Sequence, residues 1–385
     1  MRYFMLFCQG MADNPQESLS GRTPLEAAKT PFMDSLAKKG RIGSVNFIPH
    51  SLPAAPDIAC MSILGYDPLE CYTGAAPLVA LARGISQSDG EVAFCYDFVT
   101  VSEDTFVEVT RRLSDTESEL LVNELNAKLA DPRVKFCAGT SLEEGILILS
   151  DSSLSEDLDD LECAAPQAAM GQKINKVLPQ GKGAAFVKVI MDKAKNLLEN
   201  HEINRVRIDL KENPANRIWL WGQGKKPKLP DFFQAHALSG TVVSEASFVR
   251  GLAVAAGLKL SGSLSEAIQG NDQFIFSYSP GVGKNDLKTK IRRIEEFDLE
   301  VVGPVCRAAE KNTESKILIG TDLMDPLGLS RGVAGDVPFL LWGAGVEAAP
   351  CDLFCEKSAQ HKHFAFDQGH QLLSYFLDEK QGAAK

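Results

Sequence analysis

The first apolar run of the chain limits the possible folds more than any other feature. Residues 2–8 (RYFMLFC) are apolar after the first position, and the run stops at Gln9 and Gly10. A short apolar run that ends in a glycine turn is typical of a strand buried on both faces of a sheet. Residues 316–320 and 338–343 show the same pattern. We therefore expect all three to be buried parallel strands of an α/β core, with the first at its centre.

The segments that follow the first run alternate as an α/β chain requires. Residues 23–40 open with a Thr-Pro pair, repeat apolar residues at helical spacing and end at a glycine, which predicts a helix. Residues 41–49 then predict a strand, and residues 184–199 predict a long helix.

The pattern changes between about residues 88 and 183. Strands are predicted at 91–101, 105–110 and 145–149, and an acidic helix at 116–130. The sequence therefore predicts a doubly wound core domain formed by residues 1–87 and 184–385. A smaller inserted α+β domain is predicted at residues 88–183.

The charge and the cysteine content limit the classes of partner and the cellular compartment that we expect. The 40 Lys and Arg residues against 51 Asp and Glu residues give a formal net charge of -11, which opposes binding to nucleic acid or anionic lipid. The nine cysteines include no CxxC pair, and we interpret them, Cys351 and Cys355 included, as reduced thiols. Residues 1–9 are too short for a signal peptide or a membrane span. We expect a cytoplasmic protein whose partner, a small molecule or a protein, the sequence does not specify.

Several segments, taken in their order and spacing, resemble one family. They read TPLEAAKTP at 23–31, SILGYDP at 62–68, YTG at 72–74 and IWLWGQG at 218–224. MAD at 11–13 precedes them, and DVP at 336–338 follows them. Across nearly its whole length, the chain resembles the archaeal-type cofactor-independent (2,3-bisphosphoglycerate-independent) phosphoglycerate mutases.

The resemblance implies a fold and a reaction. The fold would be an alkaline phosphatase-like doubly wound sheet with an inserted domain that helps to hold the substrate. In that family two divalent metal ions (Mn, Mg or Zn) flank a serine nucleophile, which moves the phosphoryl group of 3-phosphoglycerate to the 2-hydroxyl in glycolysis. Metal ions lower the pKa of the serine and neutralise the phosphoryl oxygens.

This chain departs from the family pattern at the first metal ligand and at the nucleophile. The family's first strand ends in Asp-Gly-Met, with the aspartate binding metal, and the matching residue here is Gln9. The family's serine nucleophile is followed by an aspartate; here the serine position is Pro56, while Asp57 is retained. Glutamine lacks the carboxylate charge, and proline has no nucleophilic atom.

The later ligand positions also differ. The family's Ala-Asp-His motif corresponds to Thr321, Asp322 and Leu323, so that only the aspartate is kept. A further ligand histidine corresponds to Gly332. The last aspartate and histidine pair should fall within residues 279–283, just before a helix expected to start near residue 286, but no histidine occurs between residues 236 and 361.

Two substrate contacts of the family are missing as well. An arginine expected after the YTG segment is Ala75, and the histidine of a Pro-His-Asp motif is Gln167. We therefore interpret the chain as a catalytically inactive family member with no cofactor, which serves as a binding or regulatory protein. The alternative is an enzyme with altered phosphoryl-transfer or hydrolase chemistry that reuses the cleft with Asp57, Asp322 and cationic residues.

Other polar clusters are weaker candidates. Asp13, Asp57 and Asp322 could together bind one hard cation, although helix capping or pairing with lysine is the interpretation we favour. Ser62 belongs to a structural run, and a catalytic role is not favoured. His361, His363 and His370 could bind a metal, but we favour a polar C-terminal segment.

The glycine-rich segment, the two tryptophans before it and an acidic stretch earlier in the chain are interpreted as structural. Residues 222–224 (GQG) with Lys225 and Lys226 could hold a phosphate, but we favour a core strand. Of Trp219 and Trp221, which alternate on that strand, at least one should be in the core. The acidic stretch at 151–160 is interpreted as a solvated loop.

Overall fold

The computed structural model of the chain describes residues 1–110, 113–129, 131–140, 144–151, 157–281, 286–312, 314–329, 331–360 and 364–378. The chain forms two compact units. The core unit comprises Met1–Tyr72 and Lys228–Lys385, and the inserted unit comprises Thr73–Pro227.

The strands, in chain order, are β1 (Arg2–Cys8), β2 (Arg41–Val45), β3 (Val92–Ser102), β4 (Thr105–Val109), β5 (Val134–Cys137), β6 (Gly145–Leu149), β7 (Arg217–Gly224), β8 (Gly240–Ser244), β9 (Lys259–Leu260), β10 (Phe274–Ser279), β11 (Ser315–Gly320), β12 (Val337–Gly343) and β13 (Ala365–Phe366).

The helices are α1 (Pro24–Ala27), α2 (Pro31–Ala37), α3 (Pro56–Ile63), α4 (Pro68–Cys71), α5 (Ala75–Ala82), α6 (Asp115–Leu129), α7 (Pro166–Ala169), α8 (Ile174–Val177), α9 (Ala184–Leu198), α10 (Glu202–Asp209), α11 (Phe232–His236), α12 (Ser247–Ala255), α13 (Leu264–Gln269), α14 (Leu287–Phe297), α15 (Gly303–Glu310), α16 (Glu356–Gln360) and α17 (Gln371–Leu377). Short 3-10 turns occupy Glu17–Leu19 and Asp157–Asp160, and a π-helical turn, Asp298–Val302, joins α14 to α15.

The core unit is built on one sheet with the strand order β13-β2-β12-β11-β1-β10-β8-β9. β1 runs parallel to both of its neighbours, with Phe4 opposite Ile275 on one side and Ile317 on the other. All three side chains are buried. The predicted central position of the first strand is therefore confirmed.

One strand of this sheet runs against the prediction. β12 is antiparallel to both β11 and β2, so the prediction that residues 338–343 form a parallel strand is wrong. A strand that is buried on both faces is apolar along its whole length, whether it is parallel or antiparallel to its neighbours. The apolar pattern therefore does not show the direction of the strand. The prediction for residues 316–320 holds, since β11 is parallel to β1.

The helix predicted at residues 23–40 is two helices. Ala28 is extended, with φ -68° and ψ 147°, and it ends α1; Pro31 then starts α2. The residue before a proline is disfavoured in the helical region, which explains the break near Thr30.

The inserted unit is organised by the long strand β3, which pairs with β4, β6 and β7. Because β7 pairs with β3 and packs against α9, and because α5 packs on β3 and β7, residues 73–87 and 184–227 belong to this unit. The predicted boundaries at 87/88 and 183/184 therefore differ from those of the structure. β7 pairs with a strand more than 100 residues away in the sequence, and the local sequence does not show to which domain such a strand belongs.

Within the described ranges, no helix combines the length and the apolar character that crossing a membrane requires.

Candidate functional site

The carboxyl ends of three neighbouring strands of the core unit bring the segments that contain Gln9 and Asp322 together. Cys8 of β1 is opposite Ser279 of β10, and Phe7 is opposite Gly320 of β11. Gln9 and Asp322 therefore follow adjacent strands at the edge where open α/β sheets bind ligands. The Gly10 N–H donates to Asp322 Oδ1 over 2.8 Å, so the two chain segments are in direct contact.

Gly10 has a left-handed backbone conformation. Its φ is +67°, and a Cβ placed on it would lie 2.8 Å from Asp325 Cβ and 2.9 Å from Asp325 Oδ2. Any other residue would be strained in its backbone and would collide with Asp325. The glycine therefore turns the chain sharply after β1 and aims its N–H at Asp322.

Asp322 is buried, and hydrogen bonds engage both of its carboxylate oxygens. Oδ1 accepts the N–H groups of Gly10 and Leu323, each over 2.8 Å, and Oδ2 accepts the Tyr278 hydroxyl over 2.8 Å. Burial raises the pKa of Asp322 to about 6, although these hydrogen bonds oppose the shift. Burial also raises the pKa of Tyr278, whose hydroxyl bonds to Cys60 on α3. The retained aspartate is thus the centre of a buried protein network.

Leu323 and Gly332 are the two residues that the resemblance matches to histidines of the family. Their segments are held side by side by a bridge in which the Val333 N–H donates to the Met324 carbonyl over 2.8 Å. Leu323 is 3% exposed, and a Cβ placed on Gly332 would overlap its Cδ1 atom. The Leu323 side chain therefore fills the space that a side chain at position 332 would need.

Gln9 lies against the segment that follows β10. A Cβ placed on Gly281 would be 3.3 Å from Gln9 Oε1, so the amide reaches the stretch in which the family carries its last ligand pair. Of residues 279–283, positions 282 and 283 lie outside the described residues, as do His361 and His363. The described part of this contact is formed by a neutral amide and glycine backbone.

Helix α3 starts at Pro56, the residue that the resemblance matches to the nucleophile, and it is buried along nearly its whole length. Pro56 is its first residue, where a proline's missing N–H costs nothing. Asp57 is 7% exposed, and its Oδ2 accepts the Tyr72 hydroxyl over 2.6 Å. Burial raises the pKa of Asp57, and the Tyr72 hydrogen bond opposes the shift. Ser62 donates to the Phe47 carbonyl over 2.6 Å, which agrees with its structural interpretation.

Asp13 forms an ion pair. Lys290 Nζ lies 2.6 Å from Asp13 Oδ2, with both side chains fully buried, and also donates to the Asp325 carbonyl over 2.7 Å. No sequence motif singles out Lys290. The available signal was its position on the buried face of α14, where it is followed at helical spacing by Ile294 and Phe297.

The two predicted substrate positions lie in the inserted unit. Ala75 is the first residue of α5, and a Cβ placed on Gly222 would be 3.3 Å from its Cβ. Gln167 is exposed on α7. Neither position carries a cation that would contact a phosphate or a carboxylate.

The glycine-rich segment is the end of a strand. Gly224 accepts a hydrogen bond from Gln87 over 3.0 Å, and Lys225 accepts one from Thr73 over 2.7 Å, both at their carbonyls. Trp219 is 2% exposed and donates to the Ala164 carbonyl over 2.7 Å. The segment is therefore part of the packed sheet, as the structural interpretation predicted.

The residues at the family's ligand positions do not suit the two metal ions that the resemblance implies. Such ions require carboxylate or imidazole donors. The structure places an amide at position 9, an isobutyl group at 323 and no side chain at 332, while protein donors engage both oxygens of Asp322. No group of three or more His, Cys, Asp or Glu residues suited to a metal ion occurs in the part of the chain that the structure describes.

The fold and the site define a class: a doubly wound α/β protein with an inserted α+β unit and its candidate site at the carboxyl edge of the central strands. The model of the 2,3-bisphosphoglycerate-independent phosphoglycerate mutase family matches residues 37–204. The mutase of that name from Methanothrix thermoacetophila is 34% identical over 398 residues, 98% of this chain and 100% of the relative. The corresponding mutase of Methanosarcina mazei is 33% identical over 400 residues, with 98% and 100% covered. The chain belongs to the 2,3-bisphosphoglycerate-independent phosphoglycerate mutase family.

Solved structures support the fold. A Pyrococcus horikoshii protein is similar over 100% of this chain and 98% of its own, with a TM-score of 0.79 and 24% identity. The cofactor-independent phosphoglycerate mutase of Thermoplasma acidophilum is similar over 98% of this chain and 99% of its own, with a TM-score of 0.62 and 21% identity. The predicted α/β fold, a doubly wound core with a smaller inserted α+β domain, is confirmed.

Proposed function

We propose that this family member has lost the phosphoglycerate mutase reaction and acts in the cytoplasm as a binding or regulatory protein. The observation that carries the proposal is the packing of Leu323 over Gly332. Two positions where the family resemblance places metal-binding histidines are filled here by one apolar contact. A single substitution at either position would not rebuild both ligands.

The nucleophile position supports the same proposal. Pro56 starts α3 with a side chain that offers no oxygen or sulfur. Losing the nucleophile of a catalytic unit costs on the order of 10⁶ in rate. Asp57, its neighbour, is buried and bonded to Tyr72, so the retained carboxylate has a structural partner.

The test combines metal analysis with two activity assays on the full chain. The purified protein is incubated with Mn²⁺, Mg²⁺ or Zn²⁺, desalted and analysed by mass spectrometry for bound metal. The same samples are assayed for conversion of 3-phosphoglycerate in a coupled assay, with the Methanothrix thermoacetophila relative as the positive control. We expect neither stoichiometric metal nor turnover above the blank.

Two results would count against the proposal in different ways. Turnover of 3-phosphoglycerate would show a working mutase and overturn it. Hydrolysis of p-nitrophenyl phosphate without mutase activity would favour the alternative, an altered phosphoryl-transfer or hydrolase chemistry in the same cleft.

A further inference from the structure

A groove on the inserted unit lies between α6, α9 and α10. Its volume is about 730 Å³, which exceeds that of a single side chain several times over. Its lining combines aliphatic residues with glutamates and asparagines. None of these residues belongs to the positions compared with the family's catalytic site.

The groove has an apolar floor and apolar walls that remain open to solvent. Leu197 and Ile203 are partly buried against the core of the unit and form the floor. Leu120 of α6 is 54% exposed, and Val206 of α10 is 50% exposed. Leu210, one helical turn beyond Val206, is 66% exposed. Neighbouring exposed aliphatic side chains with a polar rim are typical of protein-binding surfaces.

The rim of the groove is acidic and ordered. Its lining includes three glutamates, Glu117, Glu124 and Glu202, against the single lysine Lys128. Glu124 is held by Lys128 and by His201 Nε2 at 2.8 Å. Glu117 is paired as well, with Arg207 Nη1 3.5 Å from its Oε1. Three carboxylates therefore face two cationic side chains, which leaves the rim with a small negative balance.

We propose that this groove binds a cationic amphipathic helix of a partner protein. The partner would insert aliphatic side chains spaced three and four residues apart between Leu120 and Val206, and would place a Lys or Arg side chain against Glu202. A second copy of this chain fits less well, because it would set one acidic rim against another, in a chain whose formal net charge is -11. The proposal does not depend on the loss of catalysis.

The test measures binding of a defined probe to the full chain by fluorescence anisotropy. The probe is a labelled 18-residue peptide with Leu at helical spacing and Lys at the other positions. A second peptide of the same composition, with Leu and Lys alternating at strand spacing, controls for charge alone. We expect saturable binding of the helical peptide and at least tenfold weaker binding of the alternating one.

Two matched double variants locate the site. Leu120→Ser/Val206→Ser removes apolar surface from the groove, and Leu69→Ser/Phe233→Ser removes surface from two residues of the core unit that are each 60% exposed. We expect the groove variant to raise Kd about tenfold, the scale of a hot-spot contact, and the control variant to leave it unchanged. Circular dichroism checks that both fold, and Glu202→Gln, which leaves the apolar groove intact, should also weaken binding, by about threefold.

The opposite results are equally definite. Absent or unsaturable binding, equal binding of the two peptides, or equal weakening by the two double variants would overturn the proposal. A concentration-dependent dimer that the groove variant abolishes would also overturn it, because the occupant would then be a second copy.

Discussion

Lys290 Nζ lies 2.6 Å from Asp13 Oδ2, and neither side chain is exposed to solvent. Removing one member of a buried ion pair leaves the other charge without compensation, which costs about 3–5 kcal/mol. We expect Lys290→Met to lower the free energy of unfolding by that amount in urea denaturation.

Two variants frame this measurement. Lys259→Met removes an ammonium group that is 69% exposed and 2.8 Å from Asp272, and should cost less than about 1 kcal/mol. Asp13→Asn/Lys290→Met removes both buried charges and should be more stable than Lys290→Met alone. Equal losses for the two lysine variants would contradict a strong buried pair.

Tyr72→Phe removes the hydroxyl that donates to Asp57 over 2.6 Å. Burial already raises the pKa of Asp57, and losing a hydrogen bond to its charged form should raise that pKa further. A higher pKa in the folded variant means that its folded state favours the protonated Asp57 carboxyl. The contribution of this proton to the stability of the folded state is lost as the pH rises. We therefore expect Tyr72→Phe to destabilise the protein by about 1–3 kcal/mol near neutral pH and by progressively less as the pH falls. A loss independent of pH would contradict this account.

Asp298, in the π-helical turn, accepts the N–H groups of Phe32 and Met33 over 3.1 and 2.7 Å at the start of α2. Burial raises its pKa to about 6, against about 3.9 in an unfolded chain. Protonation of Asp298 therefore stabilises the folded state. This contribution to the free energy of unfolding is fully present below about pH 4 and is lost as the pH rises through 6. Between about pH 4.5 and 7 the loss amounts to about 2 kcal/mol.

Asp298→Asn provides the measurement, because asparagine does not titrate. The stability advantage of the natural chain over this variant should shrink by about 2 kcal/mol between about pH 4.5 and 7. Groups common to both proteins cancel in that difference. Parallel pH profiles would show that Asp298 does not titrate in this range.

Gly332→Ala places a methyl group against Leu323. We expect it to lower the free energy of unfolding by about 1 kcal/mol through overpacking. In a Leu323→Ala background the same change should be neutral or stabilising, because space is open and alanine reduces the entropy of the unfolded chain. The coupling between the two sites should thus be about 1 kcal/mol in a double-mutant cycle.

Gly335→Ala is the matched control for this cycle. A Cβ placed on Gly335 would meet Met324 Sδ at 3.7 Å, an ordinary contact. Its effect should therefore be the same with and without Leu323. If Gly332→Ala behaved in the same way, the overlap with Leu323 would not be the cause.

The sequence predicted features that depend on local pattern. The apolar run at Arg2–Cys8 identified the central strand, and the glycine after Gln9 identified its turn. The direction of β12 and the pairing of β7 with β3 were not predictable in this way. Both depend on which strands meet in space, and neither changes the apolar pattern of the strand itself.

For the candidate site, too, the sequence showed local features but not contacts between distant residues. The resemblance matches Gln9, Pro56, Leu323 and Gly332 to site positions of the family, and that matching stays a prediction. The sequence did not reveal that Leu323 packs over Gly332, since two residues nine positions apart leave no mark of their contact. For Asp13 it favoured helix capping or pairing with lysine, but it did not identify the lysine, because Lys290 is 277 residues away.

The contact between Leu323 and Gly332 also orders the steps by which such a site can change. A side chain can be accommodated at position 332 only after Leu323 has been replaced or has turned away. A histidine gained first at position 332 would therefore have to displace Leu323 before it could offer a nitrogen to any ligand. In evolutionary terms, the packing of Leu323 over Gly332 sets the order in which substitutions at these two positions can accumulate.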